Sequence, residues 1–237
     1  DVPEEYGGMG LDDYRYNTIL IEESVKAENP GFGHSVQNDL VVPYLLRHTT
    51  EEQKKRWLPK ICSGETIGAL AMTEPGGGSD VAAIKTLAKD MGDHFLVNGS
   101  KSFITNGLLA DLVIVACKTD SKAGAHGISL IILERGMEGF ERGNKLDKIG
   151  QVGQDTAELF FKDVKVPKEN LLGEEGKGFY YMMESLPKER LSIAAGAIAV
   201  IEFVLDLTIQ YCHDRKAFGQ KIGSFQNSKF KLAEMTT

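Results

Sequence analysis

The chain has 237 residues, 42% hydrophobic and 26% charged, which excludes a disordered or fibrous chain and suffices for one or two domains with a sizeable core. Its 34 acidic and 27 basic residues leave a net charge of −7, which argues against a nonspecific nucleic-acid binder. Cys62, Cys117 and Cys212 are an odd number without a CxxC, so neither a zinc site nor a disulfide framework is expected and a reducing compartment fits.

Position 1 is Asp, and no basic-then-apolar leader opens the chain; the expectation is a removed leader or a start inside a larger protein. Residues 11–62 read as helical, because Leu11, Tyr14, Ile19, Leu20 and Ile21, then Val36, Leu40, Val41, Leu45 and Leu46, recur at three- and four-residue steps. Thr50 and Gln53 form a capping-box pattern ahead of a helix whose Trp57, Leu58 and Ile61 share a face, and Cys62-Ser63-Gly64 ends it.

From Thr66 to about Val166, short apolar runs bounded by Gly, Asn and Asp predict strands: Phe95-Leu96-Val97, Leu112 to Ala116, Ile128 to Leu133 and Ala157 to Phe161. Asn98-Gly99 predicts a two-residue hairpin turn, a reading preferred over a glycosylation sequon at Asn98-Gly99-Ser100. Helix returns from about Gly176 to Asp214, with a break or kink expected at Pro187, and a further helix begins near Phe225. The longest apolar run, Ile193 to Ile201, stops at Glu202 and is read as a buried helix, too short to span a bilayer. Helix, strand and helix in blocks predict an α+β fold: an N-terminal helical domain over 1–65, a middle antiparallel β domain over 66–173, and a C-terminal helical region over 174–237.

The familiar nucleotide-loop, zinc-protease and nucleophile-elbow motifs are absent. The five histidines are scattered, so no metal is expected. Three constellations stand out. Thr73-Glu74-Pro75-Gly76-Gly77-Gly78-Ser79-Asp80 reads either as a surface loop or as a backbone cradle for an anion such as a pyrophosphate. Phe103 and Thr105, two apart on a strand, put a ring and a hydroxyl on one side; the plainer alternative is a hairpin strand with one core Phe. Leu186-Pro187-Lys188-Glu189-Arg190-Leu191 and Arg215-Lys216-Ala217-Phe218-Gly219-Gln220 supply a carboxylate and two arginines, each of which read alone is a helix-terminus acid or a solvated charge.

Taken in this order, Ala71 to Asp80, Asn98 to Gly107, and Arg215 to Gln220 with Gln226 closely resemble the motifs of the acyl-CoA dehydrogenase family of flavoenzymes. The resemblance covers essentially the whole chain. It implies a helical domain, a β domain and a four-helix bundle, usually as a homotetramer, with the first helices and the end of the bundle missing here. By resemblance, Leu70, Met72 and Thr73 lie along the flavin of FAD; Gly78 and Ser79 sit where FAD meets acyl-CoA; and Phe103, Ile104 and Thr105 form the flavin-face strand. Phe103 stands where many members have Trp, and Gly77 where Ala is frequent. Arg215, Phe218 and Gln226 are expected to contact the adenine-dinucleotide part of FAD on a neighbouring subunit.

Glu189 matches the catalytic base of the long-chain and isovaleryl types, with Pro187, Lys188 and Arg190 as its substrate-side neighbours. The resemblance thus implies α,β-dehydrogenation of a fatty acyl-CoA, with a long-chain substrate favoured over an isovaleryl-type one. It also implies electron transfer to an electron-transfer flavoprotein and a bacterial cytoplasmic or mitochondrial-matrix location. A flavin monooxygenase or nitroalkane oxidase on the same fold, or a non-enzymatic assembly protein, are the competing readings.

Overall fold

The computed structural model describes residues 1–29 and 31–237. The N-terminal part carries helices α1 (Arg15–Lys26), α2 (Val42–His48) and α3 (Glu51–Ser63), with a π-helical stretch, Val36–Val41, running directly into α2. Leu11 lies outside any helix. Helix α3 begins as its sequence predicts: Thr50 N–H donates to Gln53 Oε1 at 2.8 Å and Gln53 N–H donates to Thr50 Oγ1 at 3.2 Å, so two orphan donors of the first turn are satisfied. Trp57, Leu58 and Ile61 are buried together, and Gly64 ends the helix at φ 79°.

Strands β1 (Gly68–Ala71), β2 (Leu87–Asp90), β3 (His94–Thr105), β4 (Leu112–Lys118), β5 (Ile128–Glu134), β6 (Phe140–Lys145), β7 (Thr156–Pro167) and β8 (Leu171–Leu172) follow. They make one sheet in the order β6-β7-β3-β2-β4-β5-β8, with β1 beside β4. The pairings are antiparallel apart from β1 with β4 and a single bridge between β2 and β4.

Both faces of the central strands are covered, which is why β4 and β5 read as unbroken apolar runs. On β4, Leu112, Ile114 and Ala116 join the helix-side core with Tyr44, Leu45, Trp57 and Met182. Val113, Val115 and Cys117 join a second core on the other face with Phe95, Val97 and Phe161.

Asn98-Gly99 is not a turn. The chain reverses between β2 and β3 at Gly92, φ 98°, where Met91 N–H donates to the His94 carbonyl at 2.9 Å, and β3 then runs straight through Asn98 and Gly99. Gly99 answers a close approach instead: a Cβ there would lie 2.5 Å from Thr86 Oγ1 and 2.7 Å from Thr86 Cα. Asn98 braces a bulge on the facing strand β7, donating to Asp163 Oδ1 at 3.1 Å and accepting from Asp163 N–H at 2.9 Å.

After the sheet, α4 (Gly178–Asp214) is followed by the two-stranded hairpin β9 (Lys216–Ala217) and β10 (Gln220–Lys221), then α5 (Gln226–Thr236). Pro187 lies within α4 and does not break it. The helix expected at Ile193 to Ile201 is present, but within this chain it is not buried: Ile193, Ile198 and Ile201 are 75%, 56% and 52% exposed, and only Ala199 of that run is buried. Helix α4 packs on α1, α2 and the sheet along one side, whereas a helix apolar all round needs neighbours on every side to be covered. Among the described residues it is also the one helix long and apolar enough to cross a membrane, with a mean hydropathy of 2.0 over 18 residues.

Candidate active site

The glycine-rich loop leaves β1 and closes on itself: Glu74 N–H donates to the Gly77 carbonyl at 3.0 Å and Gly77 N–H returns to the Glu74 carbonyl at 3.1 Å. A Cβ on Gly76 or Gly77 would meet nothing within 4 Å, so this stretch of backbone is open to an approaching ligand. Gly78 and Ser79 are exposed. The base of the loop is stitched to β3, where Ser102 N–H donates to the Thr73 carbonyl at 3.0 Å and the Thr73 hydroxyl donates to the Ser102 carbonyl.

Beside that stitch β3 carries a bulge of its own. The ladder to β7 skips between Lys101, opposite Leu159, and Ile104, opposite Ala157, and Phe103 takes φ 60°. The extra residue reverses the alternation: Ile104 turns into the sheet core, 2% exposed, while Phe103 turns out, 71% exposed, with half-buried Thr105 on its side. Phe103 is therefore no core residue, and a bulky side chain held in the left-handed region is backbone strain at an exposed position. Ile104 offers a ligand only its backbone. Leu70 is likewise packed into the helix-side core, with half-buried Met72 against it.

Glu189 lies on α4 facing that same core and is 8% exposed. The Tyr44 hydroxyl, on α2, donates to its Oε1 at 3.2 Å. Burial pushes the Glu189 carboxyl above the usual carboxylate range, and the Tyr44 hydrogen bond and the charge of Arg190 pull partly against it. Burial, followed by the neighbouring Glu189 charge, raises the Tyr44 hydroxyl as well, so it stays a donor. Arg190 and Pro187 are exposed, and Lys188 pairs with Asp1 at 2.6 Å. One turn beyond Glu189, Ser192 Oγ donates at 2.5 Å to buried Asp39, which also accepts from Asn17.

Arg215, Phe218 and Gln226 lie beyond the other end of α4. At a rise of ~1.5 Å per residue, the helix carries Arg215 roughly 39 Å from Glu189, and Phe218 and Gln226 follow at that far end, so one chain does not bring the two groups together. Phe218, φ 52°, and Gly219, φ 76°, form the tight turn of the β9–β10 hairpin, and the Phe218 ring is 95% exposed.

Sequence reasoning missed Tyr44, Lys101 and Asp39. Tyr44 sits in a helical apolar run, where an aromatic reads as core. Lys101 alternates with its neighbours as a solvated strand residue would. A charge in the π-helical stretch carries no local mark of burial. Among the described residues no three His, Cys, Asp or Glu side chains gather as a metal site.

The fold thus carries an open glycine loop, an outward aromatic on a strained bulge and a desolvated carboxylate, and comparison with known proteins gives it a family. Sequence models described as acyl-CoA dehydrogenase N-terminal, middle and C-terminal domains match residues 1–65, 69–164 and 176–237. The chain belongs to the acyl-CoA dehydrogenase family.

It is 48% identical to the mitochondrial long-chain specific acyl-CoA dehydrogenase of Sus scrofa, over 100% of this chain and 55% of that protein. It is 47% identical to the mitochondrial isovaleryl-CoA dehydrogenase of Oryza sativa subsp. japonica, over 99% of this chain and 58% of that protein. The chain thus spans little more than half the length of these relatives. Among solved structures, an acyl-CoA dehydrogenase from Geobacillus kaustophilus superposes with a TM-score of 0.96 at 53% identity, covering 99% of this chain and 62% of the other. An acyl-CoA dehydrogenase of Bacillus anthracis complexed with FAD superposes with a TM-score of 0.90 at 36% identity, covering 98% of this chain and 40% of that one.

Proposed function

We propose that this chain is the part of an FAD-dependent acyl-CoA dehydrogenase that carries the catalytic base, and that the protein converts a fatty acyl-CoA to its trans-2-enoyl thioester. The observation that carries the reading is Glu189, buried on α4 and held by Tyr44 within the same apolar core as Leu70 and Met72. FAD, when bound, supplies the two-electron acceptor for the β-hydrogen. Phe103 and the open backbone at Gly76 and Gly77 suit a flat ring with a phosphate-bearing tail, because the Phe103 ring is exposed and held against backbone strain, and the glycine backbone has no neighbouring atoms in the way of an approaching anion.

In this reading Phe103 packs on the ring, Thr105 hydrogen-bonds its edge, and Met72 and Thr73 line it. The Thr73 proton is committed to Ser102, so Thr73 serves a ligand as acceptor. Leu70 and Ile104 support from the core. Gly78 and Ser79 take the junction of FAD with the CoA arm. Glu189 receives the α-proton at a carboxylate oxygen; its raised pKa makes it a stronger base than a solvated carboxylate, and the apolar surroundings exclude water. Pro187, Lys188 and Arg190 flank the substrate.

Arg215, Phe218 and Gln226 serve the cofactor of a neighbouring subunit, in keeping with their distance from Glu189, and the assembly is a homotetramer. The division into 1–65, 66–173 and 174–237, an electron-transfer flavoprotein as redox partner, and a mitochondrial-matrix or bacterial cytoplasmic location belong to the same proposal. Helix α4 then packs in a protein bundle rather than in lipid; Glu202 and Asp206 on its uncovered length suit water or protein partners.

A long-chain substrate is preferred, on the similarity to long-chain enzymes around Glu189. The near-equal identity to isovaleryl-CoA dehydrogenases supports a branched short-chain substrate as the second reading. The test uses the protein at the full length of its relatives, with a panel of acyl-CoAs from branched C5 to long straight chains scored by bleaching of the flavin band. Glu189→Gln is expected to keep bound flavin and lose bleaching with every acyl-CoA. Normal bleaching in that variant removes Glu189 as the base, and turnover with oxygen but no response to any acyl-CoA favours an oxidase or monooxygenase. A full-length tetramer that takes up no FAD favours a non-enzymatic scaffold.

A further inference from the structure

The loop and the bulge that form the two sides of the proposed flavin site come from separate stretches of sequence, and a buried ion pair joins them. Lys101 on β3 is 0% exposed, and its Nζ donates to the Met72 carbonyl at 2.8 Å and to Glu74 Oε1 at 3.0 Å. Glu74 is held from the far side by backbone: Thr86 N–H donates to Oε1 at 2.9 Å and Lys85 N–H to Oε2 at 2.7 Å. The lysine thus reaches from the strand to the residue just before Thr73 and to the one just after it. Two positions further along β3, the chain bulges and turns Phe103 out.

An ammonium buried next to Cys117 and the apolar second core is costly to desolvate, and an apolar side chain of similar volume would pack there without that cost. What an apolar residue does not supply is direction. A lysine bound to one carbonyl and one carboxylate holds the loop at a single height above the strand, whereas an apolar contact tolerates a slip.

We propose that Lys101, with Glu74, is a positioning residue of the flavin site: it sets the spacing between the glycine-rich loop and the Phe103–Thr105 bulge. The inference rests on the reading that FAD binds between these two elements. Lys101 touches no ligand itself. It acts through the Met72 carbonyl and the Glu74 carboxylate, and it sits on the opposite side of β3 from Phe103.

The test compares Lys101→Met, Glu74→Gln and the double variant in the full-length protein stripped of flavin. FAD affinity is titrated by fluorescence quenching, and apoprotein Tm and the flavin absorption band are measured in parallel. Lys101→Met is expected to weaken FAD binding about tenfold and to shift the flavin band. The double variant, which leaves no orphan charge, is expected to regain Tm to within about 4 °C of wild type without regaining affinity. Should Lys101→Met not fold, the double variant carries the comparison.

Wild-type affinity in either Lys101 variant overturns the proposal, as does affinity that recovers in step with Tm, which is the mark of a merely structural pair. A wild-type protein that takes up no FAD overturns the proposed function instead, so the two failures are distinguishable.

Discussion

Glu189 and Tyr44 pose the chemical problem of the site at the scale of single side chains. In the proposed reaction a carboxylate must be basic enough to take a proton from carbon and yet ionised when the thioester arrives. Burial moves Glu189 in the first direction, while the hydroxyl of Tyr44 and the charge of Arg190 keep the ionised form accessible. Removing the hydroxyl leaves the charge of Arg190 alone to oppose burial. Tyr44→Phe is therefore expected to raise the pKa of Glu189, and because the active form is the deprotonated one, the acid limb of the kcat/KM profile moves to higher pH. The loss on the acid limb is about two- to fivefold, the worth of one neutral donor to a partly buried acid, and it vanishes well above the limb. A pH profile of flavin reduction checks this; an unmoved acid limb with a uniformly lowered rate would assign Tyr44 to packing alone.

Strand β3 is where local and tertiary signals disagree most. Its Asn98-Gly99 pair carries the strongest short-range turn signal in the chain, yet the strand passes through, because β7 and Thr86 pack against it from either side and the glycine is needed for clearance. Four residues later a phenylalanine occupies a conformation that suits glycine better. The expected same-side pairing of Phe103 and Thr105 is present, but a bulge, and not simple alternation, turns the ring outward. Phe103→Gly relieves the left-handed strain, worth about 1 kcal/mol, and gives up little packing, since the ring is 71% exposed. The expected result is an apoprotein Tm raised by roughly 2–4 °C together with weakened flavin binding, measured by thermal unfolding and FAD titration. A lowered Tm would mean that the ring packs for stability.

Over the whole molecule, two halves of the proposed chemistry lie at opposite ends of α4, and the helix between them is apolar without cover. Ile193, Ile198, Ile201, Val204 and Leu207 are each at least half exposed. Such a stripe on one helix exceeds what single exposed apolar residues account for on a monomer surface. The 237-residue chain on its own is therefore expected to self-associate and to bind a hydrophobic dye, whereas the protein at the full length of its relatives, in the proposed tetramer, binds little. Sedimentation velocity over a range of concentrations reads the first and dye fluorescence the second. A chain that stays monomeric and dye-silent would show that the stripe is not a packing surface.

The sequence by itself determined the block order of helix, strand and helix, the capping box at Thr50 and Gln53, the apolar strands, and the motifs from which the site is proposed. Each of these is written in spacing or in a motif of adjacent positions. Tertiary structure alone decided what depends on partners distant in the chain: that Asn98-Gly99 stays in strand, that Lys101 is a buried cation held by Glu74, that Tyr44 meets Glu189, and that the apolar run of α4 is uncovered here. The physical reason is that burial and hydrogen-bond satisfaction belong to pairs of segments. A lysine in a strand or a tyrosine in a helix shows its role only when the other segment is in place.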